Sequence, residues 1–181
     1  MHFRYTKQIN VPEQVYPQLK DQCLLIEGPL GCLQIDLALF DPKGQMIVQI
    51  QQQPVHALQI CSAHNKDPLQ TVSSILQTCF KGVTQGFLSH IEAVGVGYKI
   101  TVSDSHVSFR VGLSHPVSCA LPPDVKVFLP KPTHLIVFGI DHQHVTQVVS
   151  QFKAIKFPEP YKGKGLRLKF EQVIRKEGKK K

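Results

Sequence analysis

Two stretches decide the fold: Pro54-Val55-His56-Ala57-Leu58-Gln59-Ile60 and, 78 positions later, Pro132-Thr133-His134-Leu135-Ile136-Val137-Phe138. Each places a proline and a histidine ahead of an apolar run, and each is followed within about ten residues by a helical period. An offset of 111 superposes Leu24-Leu25-Ile26 on Leu135-Ile136-Val137, but it leads into a strand in one copy and a helix in the other. The offset of 78 is therefore kept. It predicts an α+β chain of two tandem duplicated domains, each an antiparallel β-sheet packed with one α-helix, plus a basic C-terminal tail. The boundary is expected near Gly86, giving domains at 1–86 and 87–181.

Working outward, Leu69, Val72, Leu76, Cys79, Phe80 and Val83 repeat with the period of an amphipathic helix, and so do Val145, Val148, Val149, Phe152 and Ile155. Asp67-Pro68 offers a cap and a first-turn proline to one helix, and Asp141 a cap to the other. Cys23–Glu27, Leu33–Phe40, Met46–Gln51, Val107–Val111 and Leu135–Gly139 read as strands, with turns such as Asp41-Pro42-Lys43-Gly44 between them.

With 181 residues, 42% hydrophobic and 19% charged, the chain has enough apolar material for a packed core and is not of disordered composition. No run approaches the ~18 apolar residues of a spanning helix, so no membrane partner is expected. Met1-His2-Phe3-Arg4-Tyr5 begins no secretory stretch. The five cysteines form no Cys-x-x-Cys pair and are odd in number, which argues for small buried thiols in a reducing compartment.

The charge is segregated. Residues 1–150 hold ten basic and ten acidic residues, whereas 151–181 hold eleven basic and three acidic, so the whole surplus of eight lies in the last 31. Such a field on a neutral body suits a polyanion partner, although a solubilising tail has the same composition.

Several constellations do not carry chemistry. His142 and His144 stand i, i+2 on a helix, about 200° apart, and no ligand set is completed around them, so no metal is expected. Ser114-His115 with Asp124 lacks the glycine frame of a nucleophile elbow, and adjacent strand residues face opposite ways. Gly95-Val96-Gly97-Tyr98 lacks the third glycine of a dinucleotide fingerprint and reads as a bulged or bent strand edge where backbone comes close to something. No catalytic residue, cofactor or small-molecule substrate is expected.

The informative stretch is Phe157-Pro158-Glu159-Pro160-Tyr161-Lys162-Gly163-Lys164-Gly165-Leu166-Arg167. The prolines stop the helix before it. Gly163 and Gly165 let backbone lie against a phosphate while Lys162 and Lys164 supply point charges, Tyr161 offers a stacking ring, and Arg167 a bidentate grip. Lys153 and Lys156 belong to the end of the helix, where cations also oppose its dipole. Lys169, Arg175, Lys176 and Lys179-Lys180-Lys181 extend the field.

Residues Pro158 to Arg167 resemble the C-terminal signature of the bacterial-type ribosomal protein L6 family of the large subunit. Gly82-Val83-Thr84-Gln85-Gly86-Phe87 is similar to that family's domain junction and Val94-Gly95-Val96-Gly97-Tyr98-Lys99 to its central glycine motif. Leu113-Ser114-His115-Pro116-Val117 is similar to the strand after that motif, and Val173-Ile174-Arg175-Lys176-Glu177-Gly178-Lys179-Lys180 to its tail. The stretch before Gly82 departs most from the family. The resemblance implies two duplicated domains and no enzymatic activity. It implies neighbouring ribosomal proteins as partners, and docking of the C-terminal domain on large-subunit rRNA near the sarcin–ricin loop and stalk base. It carries RNA contact onto Tyr161, Lys162, Gly163, Lys164, Gly165 and Arg167, and by extension onto Tyr98 and Lys99. Bacterial members are lysine-rich throughout, while residues 1–150 here are neutral and strewn with Gln and His. A mitochondrial ribosome is therefore expected, with plastid and bacterial cytoplasm as alternatives, and an organellar home implies a targeting segment in the precursor or an organellar gene.

Overall fold

The computed structural model describes residues 5–20, 22–41, 46–51, 57–62 and 67–178. The chain divides into two compact units, Met1–Gly86 and Phe87–Lys181. Pro54-Val55-His56, Pro42-Lys43-Gly44 and Lys179-Lys180-Lys181 lie outside the described residues.

The first unit runs β1 (Tyr5–Asn10), β2 (Tyr16–Lys20), β3 (Cys23–Gly28), β4 (Gly31–Asp36), β5 (Met46–Gln51), β6 (Ala57–Ser62) and α1 (Asp67–Thr84). The second runs β7 (Phe87–Val94), β8 (Lys99–Val102), β9 (His106–Arg110), β10 (Val117–Ala120), β11 (Val125–Lys131), β12 (His134–Gly139), α2 (His142–Ile155) and β13 (Gly165–Leu168). All pairings are antiparallel.

The duplication is explicit in the strand order. In the first unit, the first, sixth and fifth strands form one sheet, β1-β6-β5, and the second to fourth form a meander, β2-β3-β4. The second unit repeats this as β7-β12-β11 and β8-β9-β10, then adds β13 to the outer edge of β7. The α+β reading of duplicated units thus stands, with each unit's strands shared between two small sheets.

Periodicity places the helices. In α1, Leu69, Val72, Leu76, Phe80 and Val83 are buried, and in α2, Val145, Val148, Val149 and Phe152. Burying each such side chain contributes about 1.5–3 kcal/mol. In the second unit these residues meet Ile91, Leu135, Val137 and Leu166 from the sheet and Ile100, Val107 and Phe109 from the meander. The Phe109 and Phe152 rings lie 5.0 Å apart at this centre.

Local chemistry sets the ends. Asp141 accepts from the Gln143 N–H at 2.8 Å and caps α2, whereas Asp67 is itself the first residue of α1. The strand expected over Leu33–Phe40 stops at Asp36, whose carboxylate accepts from the Ala38 N–H and turns Leu37–Leu39 into a 3-10 turn. Gly95 to Tyr98 is a turn between β7 and β8, not a strand edge. A Cβ on Gly95 would stand 2.7 Å from the Tyr98 ring, so the ring is what the backbone approaches there. The expectation of buried thiols holds only for Cys61; Cys32 is exposed and the others are half-buried, and none of the five is in a disulfide. Burial pushes the Cys119 thiol up from its ordinary pKa.

Candidate nucleic-acid interface

α2 ends at Ile155 because Lys156 turns to extended backbone, φ −151° and ψ 95°, ahead of Pro158 and Pro160. The chain then makes a loop closed by backbone. The Glu159 N–H donates to the Lys164 carbonyl at 2.8 Å, the Gly163 N–H to Glu159 at 2.8 Å, and the Leu166 N–H to Lys156 at 2.9 Å. The loop hands over to β13, whose Gly165 is registered with Val94 and whose Leu168 is registered with Ile91.

The two glycines serve the protein's own packing. Gly163 has φ +68°, and a Cβ there would stand 3.2 Å from the Arg175 Nε. Gly165 has φ +152°, and a Cβ would stand 2.6 Å from the Phe157 carbonyl oxygen. Both are buried. The arrangement gives the backbone's close approach to other backbone and to the Arg175 guanidinium as the reason for glycine here.

Past β13 the chain folds back as a strap. The Leu168 N–H donates to the Glu171 carboxylate at 3.2 Å, the Lys153 Nζ donates to the same carboxylate at 2.5 Å, and the Lys176 N–H donates to the Pro160 carbonyl at 2.9 Å. The bond from Lys153 holds the Glu171 carboxyl below its ordinary range, assisted by the Leu168 N–H and the Arg167 charge and opposed by partial burial.

The expected contact residues therefore divide. Tyr161 and Lys162 are exposed on the loop, with Lys164 half-buried beside them, and Arg175 and Lys176 are exposed on the strap that crosses it. Lys153 is engaged by Glu171. Arg167 gives its guanidinium to Glu92 at 3.1 Å, across the β13–β7 register, with its Nε buried and unpartnered. Its geometry is that of a sheet ion pair, not of a free phosphate grip. Lys156 lends its carbonyl to Leu166. Lys169 lies past the far end of β13, where its N–H donates to the His90 carbonyl at 3.1 Å. The Tyr98 ring is packed on Gly95 and Gly112 instead of standing free to stack, while Lys99 is exposed on β8 opposite Arg110.

Sequence reasoning missed Glu92 and Glu171, the two carboxylates that anchor this surface. A signal existed for Glu171, one of only three acidic residues in an otherwise basic stretch. The dismissed constellations have structural occupations. The His142 ring stands edge-on to Phe87 at 4.9 Å, and His144 lies 3.6 Å from Asp124, while the His115 Nδ1 lies 3.2 Å from the Ser114 Oγ. Among the described residues no group of three or more His, Cys, Asp or Glu is placed to hold a metal.

Residues 94–168, which include the β7–β8 turn, the loop and all of β13, match the family described as Ribosomal protein L6. Similar chains include the large ribosomal subunit protein uL6 of Natranaerobius thermophilus, 36% identical over 177 residues, 96% of this chain and 95% of that one. The uL6 protein of Acidithiobacillus ferrooxidans is 34% identical over 179 residues, covering 98% and 99%. That of Mycoplasma capricolum is 45% identical over 116 residues, 64% of each chain. With near-complete coverage at such identity, the chain belongs to the ribosomal protein L6 family, structural and non-enzymatic constituents of the large ribosomal subunit.

Proposed function

We propose that the second unit binds large-subunit rRNA through the loop and strap at Tyr161–Lys164 and Arg175–Lys176, near the sarcin–ricin loop and stalk base. The observation that carries this reading is the division of charge between the units. Residues 1–86 hold six basic and six acidic residues, whereas 87–181 hold fifteen and seven, so one unit is neutral and the other carries the full surplus of eight. Glu92 and Glu171 neutralise cations inside the fold, which leaves Lys162, Arg175 and Lys176 exposed around one rigid turn. Phosphates favour such preorganised cations, and the half-exposed Tyr161 ring offers a face for a base or ribose. The neutral first unit fits contact with neighbouring ribosomal proteins.

The test is Lys162→Glu with Lys164→Glu in the full chain, followed by sedimentation of large subunits. Arg167 is left alone, because a glutamate there would face Glu92 in the sheet and confound binding with folding. The variant should be absent from large subunits while its thermal unfolding matches the parent. Normal incorporation would remove the loop from the interface. For the compartment we propose the mitochondrial ribosome, supported by the neutral, Gln- and His-rich residues 1–150 and the five cysteines. Sedimentation with mitochondrial large subunits in organelle lysates would bear this out, and recovery with plastid or bacterial subunits would replace it.

A further inference from the structure

The sheet β11-β12-β7-β13 receives α2 on one face, through Ile91, Leu135, Val137 and Leu166. Residues between these point to the opposite face. Register orders them in rows across the strands. Phe128 is paired with Ile136 and Ile136 with His90, whose carbonyl then accepts the Lys169 N–H. One step along, Lys131 is paired with His134, His134 with Glu92, and Glu92 with Arg167.

Two properties of this face belong together. It carries open apolar side chains, with 53% of Phe128 on β11 and 60% of Leu88 on β7 left in water. Its two edges are cationic, Lys131 on β11 and Lys169 just past β13, three strand spacings across and two residues along, about 16 Å apart. A groove runs between them, lined by Pro130, Lys131, His134, His90, Glu92 and Lys169. The carboxylate in that groove, Glu92, is held by Arg167 at 3.1 Å and stands 3.8 Å from His134, so it does not offset the lysines. A protein segment would cover the apolar side chains but would have to supply carboxylates for both edges. Unpaired nucleotides bring stacking surfaces and evenly spaced phosphates in one chain.

We propose that this open sheet face binds unpaired RNA nucleotides, one base stacked on Phe128, a neighbouring phosphate at Lys131 and a phosphate further along the same strand of RNA at Lys169. The proposal rests on the reading that this unit binds RNA, but it places a second contact on different residues. The test uses the full chain and a fluorescent oligouridylate of about ten nucleotides carrying 4-thiouridine. Phe128→Ala should weaken binding about tenfold, as loss of one stacked base does. Lys131→Gln with Lys169→Gln, which keeps the ring, should weaken it and flatten the salt dependence. Photocrosslinks should fall on the peptide containing Phe128, and should persist in Lys162→Glu/Lys164→Glu. Unchanged affinity in both face variants, or crosslinks confined to Tyr161–Lys164 and Arg175–Lys176, would overturn the proposal. Unchanged oligonucleotide affinity with Phe128→Ala lost from large subunits would also overturn it, in favour of a protein partner. Failure of the loop reading appears separately, as normal subunit incorporation of the loop variant.

Discussion

A Cβ at Gly165 would stand 2.6 Å from the Phe157 carbonyl oxygen and 2.7 Å from the Pro158 Cα, in a backbone conformation with φ +152°. Both obstacles are main chain, so no side-chain rotation relieves them. Gly165→Ala should destabilise the second unit by about 2–4 kcal/mol, read as a drop in its unfolding midpoint, because the backbone itself must shift. At Gly163 the obstacle is the flexible Arg175 guanidinium, which can move away, so the alanine there should cost about 1 kcal/mol. Equal effects at the two positions would contradict this account. The sequence marks both positions as glycine without saying what approaches them. A phosphate and a carbonyl of the same chain ask for the same missing side chain.

The strap from Glu171 to Lys176 depends on one carboxylate that receives Lys153 and the Leu168 N–H together. Because the Glu171 carboxyl titrates below its ordinary value near 4.5, folding favours its charged form. That contribution is complete above the ordinary value and is lost as pH falls through the lower, folded one. Stability measured from pH 6 down to pH 3 should therefore fall more steeply in the parent than in Glu171→Gln, which is weaker at neutral pH but lacks this component (about one titrating carboxylate). Parallel curves would remove Glu171 from the strap. Both helices were legible, since Leu69 to Val83 and Val145 to Phe152 carry their burial in their spacing. The pairings Arg167–Glu92 and Lys153–Glu171 were not, because one spans 75 residues and the other links a helix to a turn after a strand. Local period has no term for either. The division of each unit's strands into two sheets was hidden for the same reason.

At the scale of the whole molecule, duplication and charge act on different levels. The two units repeat one strand order, yet all of the net charge lies in the second, so the shared architecture does not by itself provide a polyanion surface. Association of the chain with large-subunit RNA fragments should fall steeply with salt. Removing Lys162 and Lys164 should lower the magnitude of the log–log slope by about 1.5, given roughly 0.7–0.9 per neutralised phosphate. An unchanged slope would mean that these lysines meet no phosphate. The repeat of Pro54–Ile60 on Pro132–Phe138 revealed the common plan through its second halves, which became the central strands β6 and β12. β13 escaped it, since among the described residues nothing in the first unit corresponds to the strand added on the edge of β7.

That added strand has a consequence for how the chain is made. β7 is the first strand of its unit to be synthesised, but the strands on its two sides, β12 and β13, are the last, and the loop is strapped only once Glu171 and Lys176 have followed. At roughly 5–20 residues per second, the first unit has all of its strands while β7 waits on the order of ten seconds for its neighbours. The nascent chain thus acquires its neutral half first. Its cationic turn is shaped only at the end of this interval, which limits the time in which a finished polyanion-binding surface meets RNA beside a half-folded domain.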